Sequence, residues 1–152
     1  MRPYAQTPAY QGVRVLELAQ GVAAPYSTMM LAQNGAEVLK VEPVGAGDWA
    51  RGIGRRVGDH SAESIAVNRG KKSIALNLKS EAGKAAALKL ASRADVVVDN
   101  YRPGVLERLG LDYDTIRATT DRLRRDRPQP RPSRHRYGDA GLYRLHDAQP
   151  RR

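Results

Sequence analysis

Two short apolar segments with a helix-like segment between them constrain the fold of this chain most strongly. Residues 13–18 and residues 36–41 each have the length and the branched aliphatic side chains of a buried strand. Between them, Pro25 suits the first turn of a helix, and Asn34-Gly35 suits its end. Strands joined by so short a helical connection favour parallel pairing and a right-handed crossover. We therefore predict a strand–helix–strand unit at the start of the fold.

The alternation of strand-like and helix-like segments continues to about residue 120. We predict strands at residues 73–78 and 95–99, and between them a helix that Ser80 caps. A short helix over residues 105–109 and another from Thr115 follow. This order predicts the α/β class, as a Rossmann-like half-domain built on a parallel sheet.

Residues 42–59 interrupt the alternation. Their glycines disfavour regular structure, and charged side chains keep the segment in solvent, namely Asp48, Arg51, Arg55 and Arg56. We predict a long surface loop here.

The composition divides the chain near residue 120. Residues 121–152 carry +6 of the net charge of +10 and four of the nine prolines, but no Val, Ile or Met. Such a segment has too few apolar side chains to cover an ordered backbone. We predict one folded domain over residues 10–120 and a disordered, basic, Arg/Pro-rich tail over residues 121–152.

Composition also argues against several classes of protein. The chain has no Cys, which excludes disulfides and thiolate chemistry, and its three His are scattered, so we predict no metal site. No apolar run approaches the roughly 20 residues that span a bilayer, so we predict no membrane association. The start of the sequence lacks the apolar segment of a secretion signal, and we expect a cytoplasmic protein.

Three segments carry groups suited to an anionic ligand. The first is Gly21-Val22-Ala23-Ala24-Pro25, whose backbone N–H groups at a helix start can meet an anion or a carbonyl oxygen. The second is the basic turn Asn68-Arg69-Gly70-Lys71-Lys72. The third is Asn100-Tyr101-Arg102-Pro103-Gly104, which follows a predicted strand with an amide, an aromatic ring and a cation. By spacing alone, each also fits an ordinary turn.

Together with residues 13–18, these motifs resemble the N-terminal part of the class III CoA-transferases, the CaiB/BaiF family, which includes formyl-CoA transferase. The third motif is similar to the family form Glu-Asn-Phe-x-Pro-Gly, with Asp99 and Tyr101 as conservative replacements. Two positions depart from the family pattern. Ala24 stands where the family usually has glycine, and Pro43 stands where formyl-CoA transferase has arginine.

The resemblance implies coenzyme A as the substrate carrier, with no metal. Its substrates would be an acyl-CoA and a carboxylic acid, and the family forms homodimers of interlocked chains. By the same resemblance, eight residues would contact CoA: Val22, Ala23, Leu76, Lys79, Asn100, Tyr101, Arg102 and Arg108.

The family chemistry, again by resemblance, uses an Asp nucleophile that forms covalent intermediates with the acyl group. No Asp of this chain stands in the family's surrounding pattern, so we assign no catalytic residue and expect the isolated chain to lack turnover. The abrupt change to Arg and Pro after residue 120 is typical of a shifted reading frame, and we expect a truncated gene product.

Three alternatives to a CoA-transferase remain open at this point. One is a member similar to the α-methylacyl-CoA racemases, which the same family contains. Another is a non-catalytic CoA-binding fragment. The third is a basic nucleic-acid-binding protein, whose affinity would fall steeply with salt. We rank the third lowest because the arginines of the tail form no helical stripe and accompany no known nucleic-acid-binding motif.

Overall fold

The computed structural model describes residues 8–125. In this range the strands are β1 (Arg14–Leu18), β2 (Glu37–Glu42), β3 (Arg56–Val57), β4 (His60–Ser61), β5 (Lys72–Ala75) and β6 (Val96–Asp99). The α-helices are α1 (Ala23–Gln33), α2 (Ala62–Asn68), α3 (Glu81–Ala91), α4 (Val105–Leu109) and α5 (Tyr113–Arg125). A 3-10 helix covers Trp49–Gly52.

Four of the strands form one parallel sheet in the order β5-β2-β1-β6. This confirms the predicted α/β class and the parallel strand–helix–strand unit. The chain builds outward from β1 to β2 and β5, and then returns to place β6 on the other side of β1. The strand order therefore reverses between β1 and β6. In open α/β sheets, ligands bind beside the carboxyl ends of the strands at such a reversal.

The two faces of the sheet are buried in different ways. One face is apolar: Leu16, Leu18 and Val41 pack with Ala87 and Ala91 of α3, and with residues of α4 and α5. The other face, under α1, has a smaller apolar cluster around Val15 and Val38. Next to that cluster the inward positions of β1 and β2 are charged, because Glu17 and Lys40 lie there, respectively 0% and 1% exposed.

Local signals explain where the helices begin and end. Ser80 caps α3 by accepting a hydrogen bond from the Gly83 N–H at 3.1 Å, as its position predicts. Helix α1 ends at Asn34, whose side chain donates to the Met30 carbonyl at 2.8 Å, and Gly35 follows with a φ of +100°. A left-handed residue at this place stops a helix, and glycine adopts it without steric cost.

The predicted surface loop over residues 42–59 is wrong in its central part. Asp48 is 1% exposed and Ala50 is fully buried, and the segment contains a 3-10 helix and the first strand of the β3–β4 hairpin. The physical reason is that the Asp48 carboxylate accepts the Ala50 N–H at 2.9 Å, which caps the 3-10 helix and draws it onto the fold. Helix α2, which Ser61 begins with a reciprocal capping box, has no counterpart in the prediction.

Two predicted boundaries also move. The strand predicted over residues 73–78 is the shorter β5, and Leu76 and Leu78 pack against the apolar core after the strand has ended. Helix α5 continues to Arg125, so the first five residues of the predicted disordered tail are helical. The rest of that tail lies outside the described residues. Between residues 8 and 125, no helix has the length and apolar character needed to cross a membrane.

Candidate functional site

The loops that follow β1 and β6 are joined at the carboxyl edge of the sheet. The Asn100 side chain donates to the Gln20 carbonyl at 2.8 Å and accepts the Gln20 N–H at 3.1 Å. The Gln20 side chain in turn donates to the Tyr101 hydroxyl at 3.3 Å. Asn100 therefore uses one amide donor and its oxygen to fix the loop of β1 at the reversal of strand order. Asn100 therefore acts on the site indirectly, because it holds the backbone of Gln20.

A cavity of about 700 Å³ opens beside this junction. Four of the eight residues predicted to contact CoA line it: Leu76, Lys79, Tyr101 and Arg108. Leu76 and Lys79 come from the connection between β5 and α3, Tyr101 from the connection between β6 and α4, and Arg108 from α4 itself. Gln20 lines the same cavity. The lining combines two cations with aliphatic side chains, which suits a ligand that has both phosphates and apolar parts.

The other four predicted residues lie outside the lining of this cavity. Val22 and Ala23 are exposed at the first turn of α1, two and three residues after Gln20. Arg102 is exposed, and Asn100 forms the junction described above. The fold thus brings four of the eight residues together in one cavity, and the other four lie at the start of α1 and directly after β6.

A buried ionic network lies beneath the loop of β1. The Lys40 ammonium donates to Glu17 at 2.6 Å and to the Ala19 carbonyl at 2.7 Å, and lies 2.8 Å from Asp48 Oδ2. Glu17 and Lys40 are direct neighbours across β1 and β2. All three charged side chains are at most 2% exposed. Buried charges are tolerated when they are paired, and each of these three side chains has a partner of opposite charge, although Asp48 Oδ2 has the ion pair with Lys40 and no hydrogen bond.

Lys71 is the second cation of this network. Its ammonium donates to Glu17 at 2.8 Å, to the Pro25 carbonyl at 2.7 Å and to Asn68 at 3.0 Å, and its side chain is 2% exposed. Burial lowers the pKa of Lys71, and the hydrogen bond with Glu17 opposes that shift. Lys71 therefore ties α1 to the sheet. It does not supply the external counter-charge that the basic turn at residues 68–72 suggests.

Glu42, at the end of β2, lines both the first cavity and a second one of about 680 Å³. Its carboxylate accepts two hydrogen bonds from Arg51, at 2.6 and 2.7 Å, one from the Asp48 N–H at 2.9 Å and one from the Ser73 hydroxyl at 2.8 Å. Burial by itself would raise the pKa of Glu42, but these hydrogen bonds outweigh it and lower the pKa from 4.5 to about 2.

The lowered pKa of Glu42 predicts a contribution to acid stability. Because the folded pKa lies below the unfolded one, the stabilisation is complete above pH 4.5 and is lost as the pH falls to about 2. We expect Glu42→Gln to remove about 2 kcal/mol of this pH-dependent term, discounted for the solvent exposure of Arg51. Urea unfolding between pH 2 and pH 6 measures it, with Glu107→Gln on the exposed side of α4 as the control. Parallel pH curves for the wild type and Glu42→Gln would contradict the assignment.

In the described part of the chain, no group of three or more His, Asp or Glu side chains is arranged to hold a metal ion. The first cavity lies at the carboxyl edge of an open parallel sheet, beside the reversal of strand order, and Lys79 and Arg108 are in its lining.

Comparison with known proteins identifies the family. The family described as CoA-transferase family III matches residues 10–123, and the chain belongs to this family. The match covers both connections that line the first cavity.

Curated relatives agree with this assignment. The chain is 42% identical over 114 residues to the acetyl-CoA:oxalate CoA-transferase of Acetobacter aceti, which covers 75% of this chain and 29% of that protein. It is 47% identical over 107 residues to the succinyl-CoA:glutarate CoA-transferase of Homo sapiens, which covers 70% of this chain and 24% of that protein. The chain thus spans less than a third of the length of these relatives.

Solved structures show the same fold. A CAIB/BAIF family protein from Brucella suis superposes with a TM-score of 0.70 at 36% identity, over 75% of this chain and 31% of that one. A hypothetical protein (Rv3272) from Mycobacterium tuberculosis superposes with a TM-score of 0.66 at 42% identity, over 72% of this chain and 30% of that one.

Proposed function

We propose that this chain binds the nucleotide end of coenzyme A in the first cavity, as part of a protein that transfers CoA between an acyl-CoA and a carboxylic acid. The observation that carries the proposal is the convergence of Lys79 and Arg108 on one cavity at the carboxyl edge of the sheet. Lys79 lies in the connection between β5 and α3 and Arg108 lies in α4, so only the tertiary fold can bring them to one ligand.

The chemistry of the lining fits the parts of the carrier. Lys79 and Arg108 supply positive charge for phosphates, and charge-assisted hydrogen bonds of this kind are about twice as strong as neutral ones. Tyr101, Leu76 and the neighbouring Leu78 supply an aromatic and aliphatic wall for an adenine ring. The same lining therefore accommodates both the charged and the flat part of a nucleotide.

Loop residues 20–23 would guide the rest of the carrier away from the cavity. Gln20 lines the cavity, and Val22 and Ala23 follow it at the exposed first turn of α1. No side chain caps this helix start. In this proposal, Asn100 is a positioning residue, because it holds Gln20 through two hydrogen bonds.

The family relationship supports the transfer reaction, and the names of relatives supply candidate acids such as oxalate and glutarate. The particular acyl-CoA, the acceptor acid and a homodimeric assembly belong to the proposal. The catalytic step is not assigned to any residue of this chain.

Calorimetric titration of the full chain with CoA tests the binding site. We expect wild-type protein to bind, and Lys79→Ala and Arg108→Ala each to raise the Kd roughly tenfold, the effect of losing one charge-assisted hydrogen bond. Lys89→Ala, in the last turn of α3, is the matched control and should bind as the wild type does.

The possible results separate the proposal from its alternatives. Absence of heat with wild-type protein would reject CoA binding, and equal affinities for the wild type, Lys79→Ala and Arg108→Ala would reject this cavity. Salt-dependent binding of a DNA duplex without binding of CoA would favour the nucleic-acid alternative. Conversion of a chiral α-methylacyl-CoA without transfer to an acid would favour a racemase.

A further inference from the structure

Trp49 is the single tryptophan of the chain, and it lies over the backbone of Gly21. A Cβ atom placed on Gly21 would lie 2.2 Å from Cζ2 of the indole, so the six-membered ring occupies the space of a side chain at that position. Yet Trp49 as a whole is 56% exposed. One part of the ring is therefore packed on the loop of β1, and a large part is left to solvent.

The neighbouring Asp48 side chain holds the backbone next to Trp49 in place. Asp48 Oδ1 accepts the Gly21 N–H and the Ala50 N–H, each at 2.9 Å, and Asp48 Oδ2 lies 2.8 Å from the Lys40 ammonium. The Asp48 side chain thereby joins the backbone of Ala50 to the backbone of Gly21, on which the ring packs. A rigid aromatic side chain loses little conformational entropy when it meets a ligand, so this is a favourable binding surface.

Trp49 also lies beside the second cavity, next to the first. It lines the second, which shares Glu42 and Pro43 with the first. Gly21, beneath the ring, directly follows Gln20, which lines the first cavity. A ligand that leaves the first cavity along residues 20–23 would pass the indole.

The charges around Trp49 do not suit a phosphate. In the second cavity, Arg51 is bound by Glu42, and Arg56 is offset by Asp59, which lines the same cavity. The cations that suit phosphates, Lys79 and Arg108, line the first cavity and not the second. The exposed indole offers an apolar face.

We propose that Trp49 is a further ligand-binding residue, which packs against the apolar arm or the acyl group of the CoA thioester. This inference rests on the proposed function of the first cavity. It predicts that Trp49 discriminates between ligands with and without the pantetheine arm.

The test compares CoA with adenosine 3′,5′-bisphosphate, which has the nucleotide end alone. By calorimetry, we expect Trp49→Ala to raise the Kd of CoA about tenfold and to leave the Kd of the bisphosphate unchanged, while Trp49→Phe retains most of the affinity for CoA. Tyr113→Ala removes another exposed aromatic side chain, at the start of α5, and should change neither Kd. In wild-type protein, CoA should protect the tryptophan fluorescence from acrylamide, and the bisphosphate should not.

The two proposals fail in different ways. If CoA binds and depends on Lys79 and Arg108, but Trp49→Ala leaves its Kd unchanged, the inference is overturned and the proposed function stands. Equal weakening of CoA and the bisphosphate by Trp49→Ala would indicate general loss of structure and would also overturn the inference. If neither ligand binds wild-type protein, the proposed function fails, and the inference fails with it.

Discussion

Replacing Lys40 by methionine should destabilise the protein by about 3–5 kcal/mol, the cost of breaking a buried ion pair by removing one partner. Methionine fills the space of the lysine stem but offers no ammonium. Asp48 would then keep a buried carboxylate without a cation at 2.8 Å, and the Ala19 carbonyl would lose its 2.7 Å donor. Because single domains are stable by only 5–15 kcal/mol, the loss is a large fraction of the total. Urea unfolding at low temperature measures it.

Two further variants show whether charge is the cause. Arg14→Met breaks the ion pair with Asp95, whose two side chains are 47% and 38% exposed, and it should cost less than about 1 kcal/mol. Combining Lys40→Met with Asp48→Asn should recover part of the loss, because the uncompensated carboxylate is gone while an oxygen remains for the Gly21 N–H. If Lys40→Met costs no more than Arg14→Met, the network does not stabilise the fold.

Replacing Gly21 by alanine should also have a large effect, about 2–5 kcal/mol. Gly21 has a φ of +83°, which costs an L-residue about 1–2 kcal/mol. The new methyl group would also displace the indole of Trp49, and forced repacking of this kind costs about 1–3 kcal/mol. Unfolding in urea measures the sum, and the tryptophan emission reports the displaced ring directly.

Gly12→Ala is the matched control for this substitution. Gly12 has nearly the same φ, +85°, but a Cβ there meets no atom within 4 Å. It should therefore show the backbone cost alone, about 1–2 kcal/mol, with unchanged tryptophan emission. Equal losses of stability for Gly12→Ala and Gly21→Ala would show that Trp49 does not pack on the loop as described.

Local patterns in the sequence were sufficient for the apolar framework. The strands β1, β2 and β6 were predicted because a short run of alternating or continuous aliphatic residues is typical of a buried strand. The ends of α1 and α3 followed from Pro25, Asn34-Gly35 and Ser80, whose preferences are properties of single residues. These signals depend on a few neighbouring residues, so they predict the elements without knowledge of the tertiary fold.

The segment between β2 and β5 was missed for the opposite reason. Its glycines and charges indicate solvent, but Asp48 is buried because it accepts the N–H of Gly21, which is 27 residues earlier in the chain, and pairs with the buried Lys40 of β2. A signal was present in Glu17 and Lys40, which are charged residues at inward positions of two apolar strands. Such residues require partners, and their presence predicts a buried network without naming its other members.

The sequence by itself determined the order of the strands and helices outside the segment between β2 and β5, the family motifs and the residue types available to hold a nucleotide carrier, since these are set by local preference and by resemblance. Only the tertiary structure decided that Lys79 and Arg108 share a cavity, that Asn100 holds Gln20, and that Lys71 is internal. These outcomes depend on which residues from other parts of the chain pair with a buried charge or hydrogen-bond donor. Such residues come together only when the whole sheet is assembled.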